Sequence, residues 1–135
     1  MNTKEQQYLL LFRGNNLFEN KSTEEIQKAL EKFGQWFEGL SAKGIIRGAA
    51  PLGLEGRIIS KANRVVADGP FTESKEAIGG YLILALNTLD EALAIARTAP
   101  GLDYGVQIEV RPIAEECPHG KLLRERLAEP ALATA

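Results

Sequence analysis

The segment at residues 7–13 carries large apolar side chains on alternating positions of both faces. Tyr8, Leu10 and Phe12 fall on one face, and Leu9 and Leu11 fall on the other. Turn-forming residues follow at 14–16, so the pattern predicts a strand. Residues 80–86 repeat the two-sided pattern. Because both faces of these strands are apolar, each strand needs cover on both sides of its sheet.

Two helices are predicted, each by a capping pattern and an apolar stripe. A serine or threonine stands three residues before a glutamate at Ser22 and at Thr88, which is the spacing of a capping box. The helices are expected at 23–43 and 89–99. Their inward positions are Ile26, Leu30, Phe33, Phe37 and Leu40 in the first and Leu89, Ala92, Leu93 and Ala96 in the second. Trp36 lies beside the first stripe, where it packs at the edge of the core or meets another subunit; edge packing is favoured.

The middle and the end of the chain predict further strands. Short apolar runs between 44 and 68 favour two or three antiparallel strands, with a hairpin turn at 60–63. A polar loop follows at 69–78. The last strand, at 104–112, alternates strictly. Val106, Ile108 and Val110 are expected to face the helices, and Gln107, Glu109 and Arg111 the opposite side.

The order of these elements predicts an α+β fold with a ferredoxin-like βαβ(ββ)βαβ unit and an antiparallel sheet. One domain is expected at 1–113. The extension at 114–135 holds an amphipathic turn or two around Leu122, Leu123 and Leu127, followed by a frayed tail. Two helices cover only one face of the sheet. The apolar second face therefore predicts a homodimer whose sheet faces meet.

Composition narrows the classes of function. The 135 residues carry a net charge of −2, which argues against a nucleic-acid partner. No stretch approaches the roughly 20 apolar residues of a membrane helix, and the start is unlike a signal peptide, so the cytoplasm is the expected location. Cys117 and His119 supply only two metal ligands, and no phosphate-binding loop is present. The expectation is therefore no metal and no cofactor.

The segment at 68–81 is the most distinctive part of the chain. It contains Asp68-Gly69-Pro70-Phe71, then Glu73-Ser74-Lys75-Glu76 and Gly79-Gly80-Tyr81. With Tyr8-Leu9-Leu10-Leu11 and Glu109-Val110-Arg111-Pro112, these motifs resemble the YCII-related proteins, in particular their DGPF subfamily. The resemblance covers about residues 7–113. It implies a dimeric α/β-barrel built on a ferredoxin-like unit.

The founding branch of that family has a proposed His and Asp pair as its active site. The only histidine here is His119, beyond the last strand, so the pair is not carried over. The resemblance offers Asp68 as the counterpart of the acid. Physically, Asp68 begins the loop and Phe71 is expected to anchor that loop in an apolar niche.

If the protein is an enzyme, proton transfer rests on carboxylates or on Lys75, and Asp68 is the first candidate base. Arg13 and Arg111 are candidates to clamp an anionic or enol-like substrate, with Glu109 orienting either arginine. Asp68 and Arg111 are expected in one polar cluster that is open to a pocket, with Glu109 close by. The remaining substrate-binding candidates are Lys75 and Tyr81.

Each candidate also has a structural interpretation. Glu109 and Arg111 suit a solvated sheet face or an ion pair across a dimer. Lys75 suits a solvated loop, and Tyr81 suits packing. Two functions therefore stay open: a small-molecule-binding protein with lyase-like or isomerase-like activity through Asp68, and a non-catalytic regulatory or accessory dimer. The ligand expected for the first is a small polar or aromatic molecule. The second only binds a ligand in its dimer cavity or meets a protein partner through its surface.

Overall fold

The computed structural model describes residues 5–14, 18–53, 55–59, 61, 66–68 and 78–129, with the backbone alone at 66–68. The strands are β1 (Gln7–Arg13), β2 (Ile46–Pro51), β3 (Arg57–Ile59), β4 (Val66–Asp68), β5 (Ile78–Ala85) and β6 (Gln107–Pro112). The helices are α1 (Thr23–Ala42), α2 (Leu89–Arg97) and α3 (Pro118–Ala128), with a 3₁₀ helix at Pro100–Tyr104.

Four strands form one antiparallel sheet in the order β2-β5-β1-β6. Helix α1 joins β1 to β2, and α2 with the 3₁₀ helix joins β5 to β6. Strands β3 and β4 form a separate hairpin between β2 and β5. This connectivity confirms the predicted α+β fold, a ferredoxin-like unit with an added hairpin.

The core lies between the sheet and the helices. In the register of β1 with β5, Leu10 stands opposite Leu82 and Tyr8 stands opposite Leu84. Leu10 and Leu84 have no exposed surface. Leu40 of α1 and Ala96 of α2 complete the buried cluster. Burial of these apolar side chains, which the two-residue period of the strands places on one face, is the main force that holds helices and sheet together.

Both helix starts have the predicted capping geometry. The Oγ of Ser22 accepts a hydrogen bond from the backbone N–H of Glu25 at 3.1 Å, and the Oγ1 of Thr88 accepts one from that of Glu91 at 3.2 Å. Each cap satisfies a backbone donor that has no partner within its helix. The predicted boundaries at 43 and 99 lie one and two residues beyond the observed ends.

The last strand is shorter than predicted. It begins at Gln107, because residues 100–104 form the 3₁₀ helix and Gly105 then adopts a left-handed conformation with φ of 95°. The backbone N–H of Val106 bonds back to the carbonyl of Gly101 at 3.0 Å. Glycine adopts such a φ without steric cost. This local reversal outweighs the strand preference of Tyr104. Ile108 and Val110 pack against the core, as predicted.

Two elements expose apolar side chains to solvent. In β3, Ile58 and Ile59 are 48% and 66% exposed. Helix α3 is longer than the predicted turn or two, at 11 residues, and all of its residues are exposed. An isolated hairpin and a helix of this length are each marginal in water without packing partners. The tail predicted to be frayed includes 130–135, which lie outside the described residues.

Candidate functional site

A cavity of about 500 Å³ lies between α1 and the sheet. Aromatic side chains dominate its wall: Phe12, Phe18, Phe33, Phe37 and Tyr104. Small residues form much of the rest: Ala29, Ala49, Gly79, Gly80, Ala99 and Gly101. The volume falls within the range of about 300–1,000 Å³ that small-molecule sites occupy.

The cavity exists because Leu30 and Phe33 of α1 are not packed into the core. Leu40 is buried, whereas Leu30 and Phe33 are 61% and 41% exposed. On the sheet below, Ala49 pairs with Leu82 and Pro51 pairs with Gly80. Alanine and glycine leave space that larger side chains would fill. The predicted stripe therefore faces inward along α1, but only its C-terminal half is packed into the core.

Phe33 lies at the centre of an aromatic cluster. Its ring centroid is 6.4 Å from that of Phe12, 5.8 Å from that of Trp36 and 6.3 Å from that of Phe37. Phe12 and Trp36 meet edge to face, with 6.3 Å between centroids. Edge-to-face and offset pairs at these distances are favourable beyond their buried area. The cluster gives the cavity a preformed aromatic wall.

Trp36 also connects α1 to the C-terminal end of α2. Its Nε1 donates a hydrogen bond to the Oγ1 of Thr98 at 2.8 Å, and that hydroxyl donates to the carbonyl of Ile95 at 2.6 Å. Trp36 packs against the buried core cluster. These contacts confirm edge packing.

Three of the predicted site residues meet on the opposite face of the sheet. Arg13 forms an ion pair and hydrogen bond with Glu109, and the Nε of Arg111 lies 3.7 Å from the Oε2 of Glu109. The hydrogen bond from Arg13 is the main cause that lowers the pKa of Glu109, with the charges of both arginines adding to it. We call these three residues the charged trio. The carboxylate between two guanidinium groups therefore stays ionised to a lower pH than an ordinary glutamate does.

The charged trio is separate from the cavity. The described residues that line the cavity include none of its members, and none of those lining residues carries a formal charge. Cross-strand pairing places Glu109 opposite Leu11 and Arg111 opposite Leu9, on the face away from the core. The cavity described here lies on the helix side. The pocket that the sequence predicts beside Asp68, Arg111 and Glu109, between the sheet faces of a dimer, stays a prediction.

The other predicted site residues are placed as follows. Tyr81 borders the cavity from the middle of β5, and it pairs with Leu11 of β1. The backbone of Asp68 pairs with that of Arg57 in the hairpin. The side chain of Asp68, and all of Lys75 and Phe71, lie outside the described residues. The roles assigned to them remain predictions.

The sequence pattern does not predict the aromatic wall, because Phe33 and Phe37 fall on a helix stripe that is typical of a packed core. The signal that was present is the combination of large and small residues. An aromatic stripe on α1 faces a pair of strands that carry Ala49, Ala50, Gly79 and Gly80. A helix stripe packed on such small residues leaves unfilled volume.

In the described part of the chain the potential metal ligands are dispersed, and the one cysteine is exposed at the start of a helix. This part contains no group of three or more His, Cys, Asp or Glu residues that is placed to hold a metal ion. Cys117 is exposed at the N-terminus of α3, where backbone N–H groups of Gly120 and His119 lower the pKa of its thiol. Among the described helices, none is long and apolar enough to cross a membrane.

The fold and the cavity define a ferredoxin-like α+β protein with a ligand-sized, aromatic-lined space beside its sheet. The chain belongs to the YCII-related domain family, whose model matches residues 7–117.

Proteins similar to it include a bacterial relative and a solved structure. An uncharacterised protein of Rhizobium meliloti (strain 1021) is 39% identical over 56 residues, which cover 41% of this chain and 45% of that protein. The match thus spans less than half of the relative's length. A solved structure of 5-chloro-2-hydroxyhydroquinone dehydrochlorinase (TftG) from Burkholderia phenoliruptrix AC1100, in complex with 2,5-dihydroxybenzoquinone, has a TM-score of 0.49 and 16% identity. That match covers 84% of this chain and 97% of TftG.

Proposed function

We propose that this protein binds a small, uncharged and largely apolar molecule in the cavity between α1 and the sheet. The observation that carries the proposal is the wall of aromatic side chains around about 500 Å³ of space. Aromatic walls bind flat rings through stacking and edge-to-face contacts. The cavity therefore favours the aromatic alternative within the predicted class of small polar or aromatic ligands.

The absence of charged side chains among the described lining residues favours an uncharged ligand. The described lining residues offer no ionised side chain to pair with a bound carboxylate, phosphate or ammonium group. Moving such a group from water into an apolar space without a partner costs several kcal/mol or more. A neutral ligand avoids that cost.

Binding without catalysis is the form of the proposal that the described geometry supports. The charged trio, which holds three of the predicted substrate-binding residues, lies on the other face of the sheet and is engaged in its own ion pairs. Proton transfer by Asp68 stays a prediction from the sequence. The same holds for membership in the DGPF subfamily and for location in the cytoplasm.

We also propose that two copies of the chain associate through their sheet faces. Helices α1 and α2 pack on the face that carries Leu10 and Leu82. Leu9, Leu11 and Ile83 lie on the opposite face and are only half-buried. Covering them with the same face of a second copy removes this apolar surface from water.

The binding proposal is tested with 1-naphthol and 1-naphthoate, two naphthalenes of similar size that are neutral and anionic, respectively, at pH 7. Trp36 is the only tryptophan of the chain and contacts Phe12 and Phe33 of the cavity wall, so its fluorescence reports binding. Titration calorimetry gives the affinity. We expect 1-naphthol to bind and 1-naphthoate to bind at least about tenfold more weakly. Equal affinity for the two, or no binding of 1-naphthol, contradicts the proposal.

A variant that fills the cavity locates the binding site. Ala29 is buried on α1 and lines the cavity, so Ala29→Leu places additional carbon atoms beside the bound ring. We expect this change to weaken 1-naphthol binding at least about tenfold. Lys32→Leu introduces the same side chain at an exposed position of α1 outside the lining and serves as the control. Similar losses in both variants place the ligand elsewhere.

A further inference from the structure

We infer that Tyr104 selects the ligand: its hydroxyl hydrogen-bonds a neutral oxygen on the bound ring. The inference rests on the proposed function and deepens it. It narrows the ligand from an apolar molecule to an aromatic compound with an uncharged hydroxyl or carbonyl group.

Tyr104 is held firmly in the cavity wall. It ends the 3₁₀ helix, and the left-handed Gly105 and the bond from the N–H of Val106 to the carbonyl of Gly101 fix the turn that follows. Its ring packs against that of Phe18, with 5.5 Å between centroids and an angle of 54°. The 3₁₀ helix also packs against α1, the other wall of the cavity. A ring anchored in this way presents its hydroxyl with little cost in conformational entropy.

Polar side-chain atoms are scarce around the cavity. Among the described lining residues, hydroxyl groups come only from Tyr81 and Tyr104. Tyr81 pairs with Leu11 and stands next to Leu82, whose side chain is in the core, so alternation directs the Tyr81 side chain to the opposite face of the sheet. Tyr104, on the helix side, is therefore the described lining residue whose hydroxyl can meet a bound ligand.

That hydroxyl is uncommitted within the protein. Tyr104 is half-buried, and within the described part of the chain its hydroxyl forms no hydrogen bond, whereas the hydroxyl of Tyr8 donates to the Oε1 of Gln6 at 2.9 Å. A phenolic hydroxyl can donate one hydrogen bond and accept others. In an apolar cavity it favours ligands that complete this bond over analogues of the same shape that lack the oxygen.

The test is a double comparison of protein and ligand. Wild type and Tyr104→Phe are each titrated with 1-naphthol and with naphthalene, followed by Trp36 fluorescence and calorimetry. The phenylalanine keeps the ring contact with Phe18 and removes only the hydroxyl. We expect Tyr104→Phe to weaken 1-naphthol binding about fivefold and to leave naphthalene binding within about twofold. Tyr8→Phe removes a hydroxyl outside the cavity and should change neither affinity.

The outcomes distinguish a failure of the Tyr104 inference from a failure of the proposed binding function. Equal losses for both ligands in Tyr104→Phe show a packing role and overturn the inference, as does unchanged binding of both. If neither ligand binds the wild type, the proposed function fails, and the inference fails with it. If naphthalene binds and 1-naphthol gains nothing over it in the wild type, the cavity binds apolar rings and Tyr104 does not select them.

Discussion

Glu109 shows how one residue of a strand acquires an environment different from that of its neighbours. Ile108 and Val110 pack into the core, while Glu109 turns to the other face and meets Arg13 of the neighbouring strand and Arg111 of its own. Arg13 and Glu109 are 96 positions apart in the chain. The pair is solvent-accessible, with side chains 27% and 36% exposed, so its contribution to stability is modest and depends on salt.

The lowered pKa of Glu109 predicts a specific dependence of stability on pH. Its pKa in the folded state lies below the ordinary value of 4.5, so the ionised carboxylate favours folding. This contribution is fully present above the unfolded-state pKa and is lost as the pH falls through the lower folded-state pKa. We expect the melting temperature of wild type to exceed that of Glu109→Gln at pH 7, with the difference disappearing below the ordinary carboxyl range.

The measurement is a series of thermal denaturations of both proteins between pH 7 and pH 3. Glu38→Gln changes an exposed glutamate of α1 that belongs to none of the described ion pairs and serves as the control. If the difference between wild type and Glu109→Gln stays constant over this range, the carboxylate is not stabilised by the arginines.

At the scale of the element, α1 illustrates how a helix can be well formed along its length and packed along only part of it. Its start is fixed by Ser22, and its end is anchored by the buried Leu40. Between these points Leu30 and Phe33 extend over the cavity rather than into the core. Because the N-terminal half has fewer tertiary contacts, local interactions such as the cap matter more for it.

Removing the cap of α1 tests this dependence. Ser22→Ala deletes the oxygen that accepts the 3.1 Å hydrogen bond from Glu25. We expect the free energy of unfolding to fall by about 1 kcal/mol, measured by urea denaturation. Ser22→Asp keeps an oxygen at the same place and should retain most of the stability. Equal losses in both variants would show that the start of α1 is set by other contacts.

At the scale of the molecule, the sheet has one packed face and one that carries a mixture of leucine, isoleucine and charge. We expect the proposed homodimer to depend on Ile83, which lies half-buried in a central strand of the open face. Ile83→Glu places an unpaired carboxylate in that interface and should weaken dimerisation at least about a hundredfold. Sedimentation velocity over a range of concentrations measures the effect.

The control for the dimer experiment is Ile59→Glu, at a 66% exposed position of the hairpin. Circular dichroism is the measurement that checks whether both variants are folded. A wild type that remains monomeric at every concentration contradicts the dimer. Dissociation by Ile59→Glu alone would instead assign the contact between copies to the hairpin.

Much of the fold was predictable because its signals are local. The caps at Ser22 and Thr88 depend on a spacing of three residues, and the strands follow from alternation over a few positions. The start of β6 was not predictable in the same way. It depends on the left-handed conformation of Gly105 and on the hydrogen bond from the backbone N–H of Val106 to the carbonyl of Gly101. Together these override the strand preference of Tyr104.

The candidate site was less predictable than the fold. The pattern placed Arg13, Glu109 and Arg111 on one face, and cross-strand register brought them into contact. The pattern also assigned Phe12 and Phe33 to a helix-facing layer. It contained no measure of how much space Ala49 and Gly80 would leave beneath α1, because that space depends on the distance and tilt between two elements.

The sequence by itself determined the α+β order of the first strand, α1, the middle strands, β5, α2 and the last strand. It also determined the capped starts of α1 and α2 and the two-sided apolar pattern of β1 and β5. These features arise from interactions between residues close together in the chain or from the simple periods of helix and strand. Only the tertiary structure decided that the cavity lies on the helix side, that Tyr104 borders it, and that the charged trio lies elsewhere. Those outcomes depend on volumes and contacts between residues far apart in the chain, where packing selects one arrangement from many that the same local pattern allows.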